Sequence, residues 1–312
     1  MTRRRLVVVC PHGFCSGVAR AVATAETLLE RFPGEAVYCL NQIVHNRQVV
    51  ERLAGMGMVF VKRVEDAPQG ARLLFSAHGV SPEVVRVAAA RGLRVIDATC
   101  PFVTKVHAEV RRFASEGAKV VCIGHRHHEE VAGVAGEAPD NVVVVENAAE
   151  AEALALPQGG AVAVVTQTTL GQSQVEDVMA VLRRRFPGLR LPESTDVCYA
   201  TRNRQQAVGR LARVCGRVLV LGSANSSNSL RLVETARAAG AEAYLVSDLA
   251  QLDGLRWHDG QAVGMTSGAS TPESFLNDAV EVLRNRHNFA EPERLDAVDE
   301  QAQVFLLPRI DG

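Results

Sequence analysis

Seven cysteines in a chain of 312 residues do not suggest a disulfide framework. The number is odd and the chain is long enough to build its own core, so metal ligation or catalysis is the stronger reading. Cys39 and Cys122 lie inside apolar runs (VYCL, VVCI), and Cys215 closes a helical stretch just before Gly216. These three read as core filler, because cysteine is among the most buried residue types. Cys15, Cys100 and Cys198 stand instead in polar turns that lead into helices: PHGFCSGVAR, DATCPFVTK and STDVCYATRN. They are 85 and 98 residues apart, about one α/β unit each. A zinc ribbon needs paired close spacings, and an electron-transfer iron–sulfur cluster usually takes four cysteines. Three thiolates from three loops point to a cluster with one iron open to act on a substrate as a Lewis acid. Cys10 is a candidate fourth ligand, although Pro11-His12-Gly13-Phe14 is expected to turn the chain between it and Cys15.

A second polar set accompanies the cysteines. His45 (IVHNR), His78 (SAHGVS) and His128 (GHRHHEEV) sit in turns, Ser223–Ser229 opens a helix, and Ser270 lies in the turn TSGAST. Hydroxyls, amides and backbone N–H groups at helix N-termini form an anion site, and imidazoles added to them suit a diphosphate. Capping alone would need one such residue, whereas Ser226-Ser227-Asn228-Ser229 supplies several. His107, His258 and His287 read as surface or helix-packing residues. Glu129 and Glu130 follow His128 directly, and a carboxyl group in an enclosed site can have a raised pKa and donate a proton. The hydroxyls of Thr166-Gln167-Thr168-Thr169 are placed to relay that proton or hold a substrate hydroxyl.

These residues need a scaffold, and the hydropathy pattern supplies one. Eleven short β-branched runs, from Leu6–Val9 to Ala262–Met265, alternate with eight segments of helical period, from Gly17–Arg31 to Pro272–Asn285. That alternation is the mark of an α/β protein with parallel sheets. The segments RLLFSAHGVS (Arg72–Ser81), KVVCIGHRHH (Lys119–His128) and RVLVLGSANS (Arg217–Ser226) repeat one pattern: a basic residue, an apolar strand, then a polar cluster. They suggest related units that each present a loop at the C-terminal end of a strand, where parallel sheets bind ligands. Val304–Leu307 is expected to form a closing strand. Apolar residues make up 47% of the chain, charged ones 22%, and the net charge is −1. This composition argues against disorder, and the near-zero charge argues against nucleic-acid or membrane partners. Only three of the 34 basic residues are lysines (Lys62, Lys105, Lys119). The chain is expected to be soluble, cytoplasmic, and a monomer or weak homodimer.

The ordered set GFCSGV, VHNR, FSAHGV, DATCP, VTKVH, TQTTL, CYAT, NSSNS and SGAS resembles the 4-hydroxy-3-methylbut-2-enyl diphosphate reductase family along nearly the whole chain. The resemblance implies three similar α/β domains, with mainly parallel sheets, in a pseudo-threefold cloverleaf around a central iron–sulfur site. The domains would span 14–99, 100–197 and 198–287, the last with strand 1–13, and a tail over 288–312 would pack back on the body. It implies reductive dehydroxylation of (E)-4-hydroxy-3-methylbut-2-enyl diphosphate to isopentenyl and dimethylallyl diphosphates, the last step of the non-mevalonate isoprenoid pathway. Cys15, Cys100 and Cys198 would hold one 4Fe–4S cluster, converting to 3Fe–4S in air, whose fourth iron meets the substrate hydroxyl. His45, His78, Ser226, Ser227, Asn228 and Ser270 would bind the diphosphate, with His128 beside them. Glu130 would deliver the proton next to Thr168, and a reduced ferredoxin or flavodoxin would supply two electrons. The family's usual His-Pro-Glu reads here His128-Glu129-Glu130, which leaves open which glutamate points inward. Cys10 and His127 also replace residues more usual in the family. Two other readings use the same residues: a phosphate-ester-binding or hydrolytic protein with structural cysteines, and an iron–sulfur or zinc sensor without turnover.

Overall fold

The computed structural model describes residues 3–156, 159–258, 260–300 and 303–310. In chain order it opens with β1 (Leu6–Cys10) and α1 (Ser16–Arg31). Then come β2 (Val37–Leu40), α2 (Arg47–Gly55), β3 (Met58–Val61), β4 (Arg72–Phe75), α3 (Pro82–Ala90) and β5 (Arg94–Asp97). The middle of the chain gives α4 (Pro101–Ser115), β6 (Lys119–Ile123), α5 (Glu129–Ala135), β7 (Val142–Val145), α6 (Ala148–Ala153), β8 (Val162–Thr166) and α7 (Gln172–Arg185). It ends with α8 (Tyr199–Val214), β9 (Arg217–Leu221), α9 (Ser227–Ala238), β10 (Glu242–Val246), β11 (Val263–Ser267), α10 (Glu273–His287) and β12 (Glu293–Asp296). The predicted alternation is thus present. The short helices α5 and α6 fall below the length at which helical period can be read from sequence.

Two compact units divide the chain. Unit 1, comprising Met1–Val18, His45–Glu51 and Tyr199–Val304, carries a five-stranded sheet in the order β10-β9-β11-β1-β12. All its pairings are parallel. Alternate residues of β1 enter opposite cores: Val7 and Val9 pack with Leu211, Val220 and Leu232, while Leu6 and Val8 pack with Leu219, Met265 and Leu276. This two-sided burial explains why the strands read as continuous apolar runs rather than alternating ones.

Unit 2, comprising Ala19–Val44, Arg52–Cys198 and Phe305–Gly312, holds two further parallel sheets, β3-β2-β4-β5 and β7-β6-β8. In β6, Val120 and Cys122 face one core and Val121 and Ile123 the other. Helix starts follow local chemistry. Ser81 caps α3 by accepting the Val84 N–H at 3.4 Å, with Pro82 at the first helical position. Cys100 occupies the cap position of α4, again followed by proline.

Two expectations need correction. The closing strand is Glu293–Asp296, paired parallel with β1; Val304–Leu307 has no regular structure, and Val304 and Leu306 are exposed. An apolar run alone looked like a strand, but the chain reaches the β1 edge earlier, through the mostly polar ERLD. Parts of the expected tail, 301–302 and 311–312, lie outside the described residues. The repeat is also displaced in one member. The N–H after β2, β6 and β9 (Asn41, Gly124, Gly222) donates to the last residue of β3, β7 and β10 (Val61, Val145, Val246) at 2.8–3.0 Å. The topological counterpart of β6 and β9 is therefore β2; RLLFSAHGVS covers β4, the counterpart of β8 and β11.

Candidate active site

The three loop cysteines share one backbone setting. Each immediately precedes a helix: Cys15 before α1, Cys100 before α4, Cys198 before α8. Each N–H donates to the carbonyl two residues beyond a strand: Cys15 to Ala269 after β11 (3.1 Å), Cys100 to Ala77 after β4 (3.0 Å), Cys198 to Thr168 after β8 (3.1 Å). These are the third strands of the three repeats, so the thiols stand at equivalent positions. All three are half-buried and none of the seven cysteines is in a disulfide. Unpaired N–H groups of a helix's first turn favour negative charge in front of it, which suits a thiolate ligand. The other cysteines do not fit that task. Burial pushes the Cys39 and Cys122 thiols well above their ordinary pKa, and that of Cys215 up to about 11. Cys10 ends β1 opposite Asp296 of β12, with its Sγ 3.7 Å from His12 Nδ1. Desolvation raises its pKa as well. The donor set Cys15, Cys100 and Cys198 thus fits a three-thiolate cluster on chemistry and repeat position.

Unit 2 gathers the acid–base groups. Glu130 is 2% exposed. Thr168 holds it twice, its N–H donating to Oε1 at 2.7 Å and its Oγ1 to Oε2 at 3.0 Å. Burial raises the Glu130 pKa, while the Thr168 donors oppose the shift. Because Thr168 O also accepts the Cys198 N–H, one residue links the buried acid to a candidate cluster ligand. His128 caps α5: its Nδ1 accepts the Glu130 N–H at 3.2 Å, so the neutral ring carries its proton on Nε2. Burial, aided by His78 and His125, lowers its pKa to about 3, which keeps it neutral. His78 and His128 meet edge to face with ring centroids 5.7 Å apart. Glu129 Oε2 lies 3.2 Å from His78 Nδ1. Of the two glutamates, Glu130 is the enclosed residue.

Unit 1 carries the anion-binding candidates other than His78. Ser226 caps α9, its Oγ accepting the Ser229 N–H at 3.3 Å and the Ser229 hydroxyl at 3.1 Å. Ser227 Oγ and both side-chain atoms of Asn228 are buried without a hydrogen-bond partner. Such orphaned groups are costly unless something satisfies them. Ser270 donates to the His45 carbonyl at 3.1 Å, which ties the turn after β11 to the His45 loop. Gly222 and Gly268 make room for Ser229, since a Cβ on either would lie 2.2 Å from Ser229 Oγ.

Several supporting residues escaped the sequence reading. Lys105 on α4 donates to the Ser194 carbonyl at 2.7 Å and to Asp196 Oδ1 at 2.8 Å. Asp196 Oδ2 in turn accepts the Thr166 N–H at 2.9 Å, so the approach to Cys198 is fastened to the helix that begins after Cys100. Tyr199 OH lies 2.8 Å from Ser16 Oγ, and the buried Arg204 donates to the Gly13 carbonyl at 3.0 Å and to Glu300. Both brace the loop around Cys15. Lys105 is one of only three lysines in an arginine-rich chain. His107, expected to be a packing residue, is buried with Nδ1 2.6 Å from Glu137 Oε1.

Comparison with known proteins places the chain. The family model described as LytB protein matches residues 6–284. The 4-hydroxy-3-methylbut-2-enyl diphosphate reductase of Rhodococcus opacus (strain B4) is 48% identical over 98% of this chain and 90% of its own length. The protein of that name from Acidothermus cellulolyticus is 47% identical over 99% and 90%. Among solved structures, the E-1-hydroxy-2-methyl-but-2-enyl-4-diphosphate reductase from Plasmodium falciparum superposes with a TM-score of 0.94 at 35% identity, covering 98% of this chain and 96% of that one. Among the described residues no helix is long and apolar enough to cross a membrane. A family match that runs through all three sheets and includes all three loop cysteines is sufficient to conclude that the chain belongs to the LytB protein family.

Proposed function

We propose that this chain reduces (E)-4-hydroxy-3-methylbut-2-enyl diphosphate to isopentenyl and dimethylallyl diphosphates, consuming two electrons and two protons and releasing water. The observation that carries the reading is Thr168, which grips the buried Glu130 carboxyl with two hydrogen bonds and accepts the Cys198 N–H. A 4Fe–4S cluster held by Cys15, Cys100 and Cys198 would supply electrons and a Lewis-acidic iron. In this reading Glu130, whose proton burial retains to higher pH than in an ordinary glutamic acid, gives that proton to the departing hydroxyl oxygen, and the Thr168 hydroxyl orients the transfer. Neutral His128 offers an Nε2–H donor. His45, His78, Ser226, Ser227, Asn228 and Ser270 bind the diphosphate, the orphaned Ser227 hydroxyl and Asn228 Nδ2 donating to its oxygens. The electrons come from a reduced ferredoxin or flavodoxin in the cytoplasm, and the three-domain division 14–99, 100–197 and 198–287 frames the site.

The test is a set of variants purified without oxygen. Cys15→Ser, Cys100→Ser and Cys198→Ser should each lose iron and turnover, whereas Cys39→Ser, Cys122→Ser and Cys215→Ser should retain iron. Full iron content in all of the first three would refute the assignment. Glu130→Gln should retain iron yet lose turnover by about 10²–10⁴-fold, the usual worth of a general acid; near-normal turnover would assign the proton to another group.

A further inference from the structure

Glu129 and Glu130 are consecutive, yet only Glu130 is held by hydrogen bonds from Thr168. Glu129 Oε2 is buried, makes no hydrogen bond, and lies 3.2 Å from His78 Nδ1. We propose that Glu129 is a built-in competitor of the substrate diphosphate. Its carboxylate lies against His78 Nδ1, a nitrogen that Ser76 Oγ also approaches at 3.3 Å, and it swings aside when the anion takes that side of the ring, so it sets the affinity of the site. The inference rests on the reading of His78 as a diphosphate-binding residue.

The surroundings equip Glu129 to move. Its side chain is 27% exposed, in contrast to the enclosed Glu130. Its Cα is fixed as the first residue of α5, so displacement needs only side-chain rotation. Glu129 also lines a cleft of about 410 Å³ together with Lys62 and Arg63; Arg63 is paired with Asp66 at 2.9 Å, which leaves the Lys62 ammonium as the cation of that cleft for the displaced carboxylate. A negative group left beside a bound diphosphate is a like-charge contact, the kind of element that weakens binding and tunes selectivity.

Titration of the purified full-length protein with inorganic pyrophosphate tests the proposal without requiring turnover. Glu129→Gln preserves side-chain size and removes the charge. Its pyrophosphate Kd should fall about tenfold, the effect of a modest like-charge contact, and KM for the allylic diphosphate should fall with it. The gain should narrow as salt is raised. An unchanged or weaker Kd in Glu129→Gln, with an unaltered melting temperature, would overturn the proposal. His78→Ala is the control on the underlying reading: it should weaken pyrophosphate binding, and in the double variant the gain from Glu129→Gln should largely vanish. If His78→Ala binds pyrophosphate like the parent, the anion-site assignment fails, whatever Glu129 does.

Discussion

Water is withheld from Glu130, and the cost of charging a carboxylate without it outweighs the two Thr168 donors that favour the ion. The group therefore keeps its proton to a higher pH than an ordinary glutamic acid. Turnover should fall on the alkaline side as that proton is lost. In Thr168→Val the Oγ1 donor disappears, the ionised form loses support, and the alkaline limb should move to higher pH; a pH–rate profile checks this. His128 titrates in the opposite sense. Its folded pKa of about 3 lies below the ordinary 6.5, so below pH 6.5 the unfolded chain binds the extra proton and the folded one resists it. Stability should fall between pH 6.5 and about 3, by at most about 1.4 kcal/mol per pH unit from this residue. His128→Gln should flatten that part of a denaturant-stability profile.

At the scale of elements, the site depends on how closely helix starts approach strand ends. The first turn of α9 comes close to the residues just beyond β9 and β11 because Gly222 and Gly268 have no side chains where Ser229 passes. Gly268→Ala should lower stability by about 1–3 kcal/mol, the range for overpacking a filled interior, and weaken pyrophosphate binding. Denaturant unfolding and calorimetry measure the two effects. Lys105 plays the corresponding part for Cys198. A tetrahedral ammonium matches a carbonyl and a carboxylate converging on one point, which a planar guanidinium does not reproduce. Lys105→Met leaves the buried Asp196 carboxylate without its cation and should cost about 1–3 kcal/mol. Iron should also leave this variant faster on exposure to air, which the decay of visible absorbance reports.

For the whole molecule, three sheets built on one strand order each project loops from the C-terminal ends of their strands, and each loop set docks one cysteine. Strand β12 and Glu300 complete unit 1, since β12 pairs along β1 and Glu300 meets the buried Arg204. Removing everything after Glu300 should leave a folded protein. Removing everything after Ala290 should expose the β1 edge, strand Arg204, and yield insoluble or cooperatively destabilised material; solubility and thermal melts distinguish the two truncations.

The residue types alone were enough to set Cys15, Cys100 and Cys198 apart from the buried cysteines of the apolar runs and to recover the strand–helix alternation. Those signals are local: hydropathy period, cap residues and the polarity of a turn all act within a few positions. Other outcomes depended on partners distant in the chain. Glu130 became the enclosed acid because Thr168, 38 positions later, closes over it. ERLD rather than the more apolar Val304–Leu307 became the closing strand because the β1 edge pairs through backbone groups, which carry no sequence preference. Lys105 acquired its role only when Asp196 was folded beside it. Burial, and with it proton affinity and ion pairing, is a property of what surrounds a residue in space, so only the tertiary structure decided it.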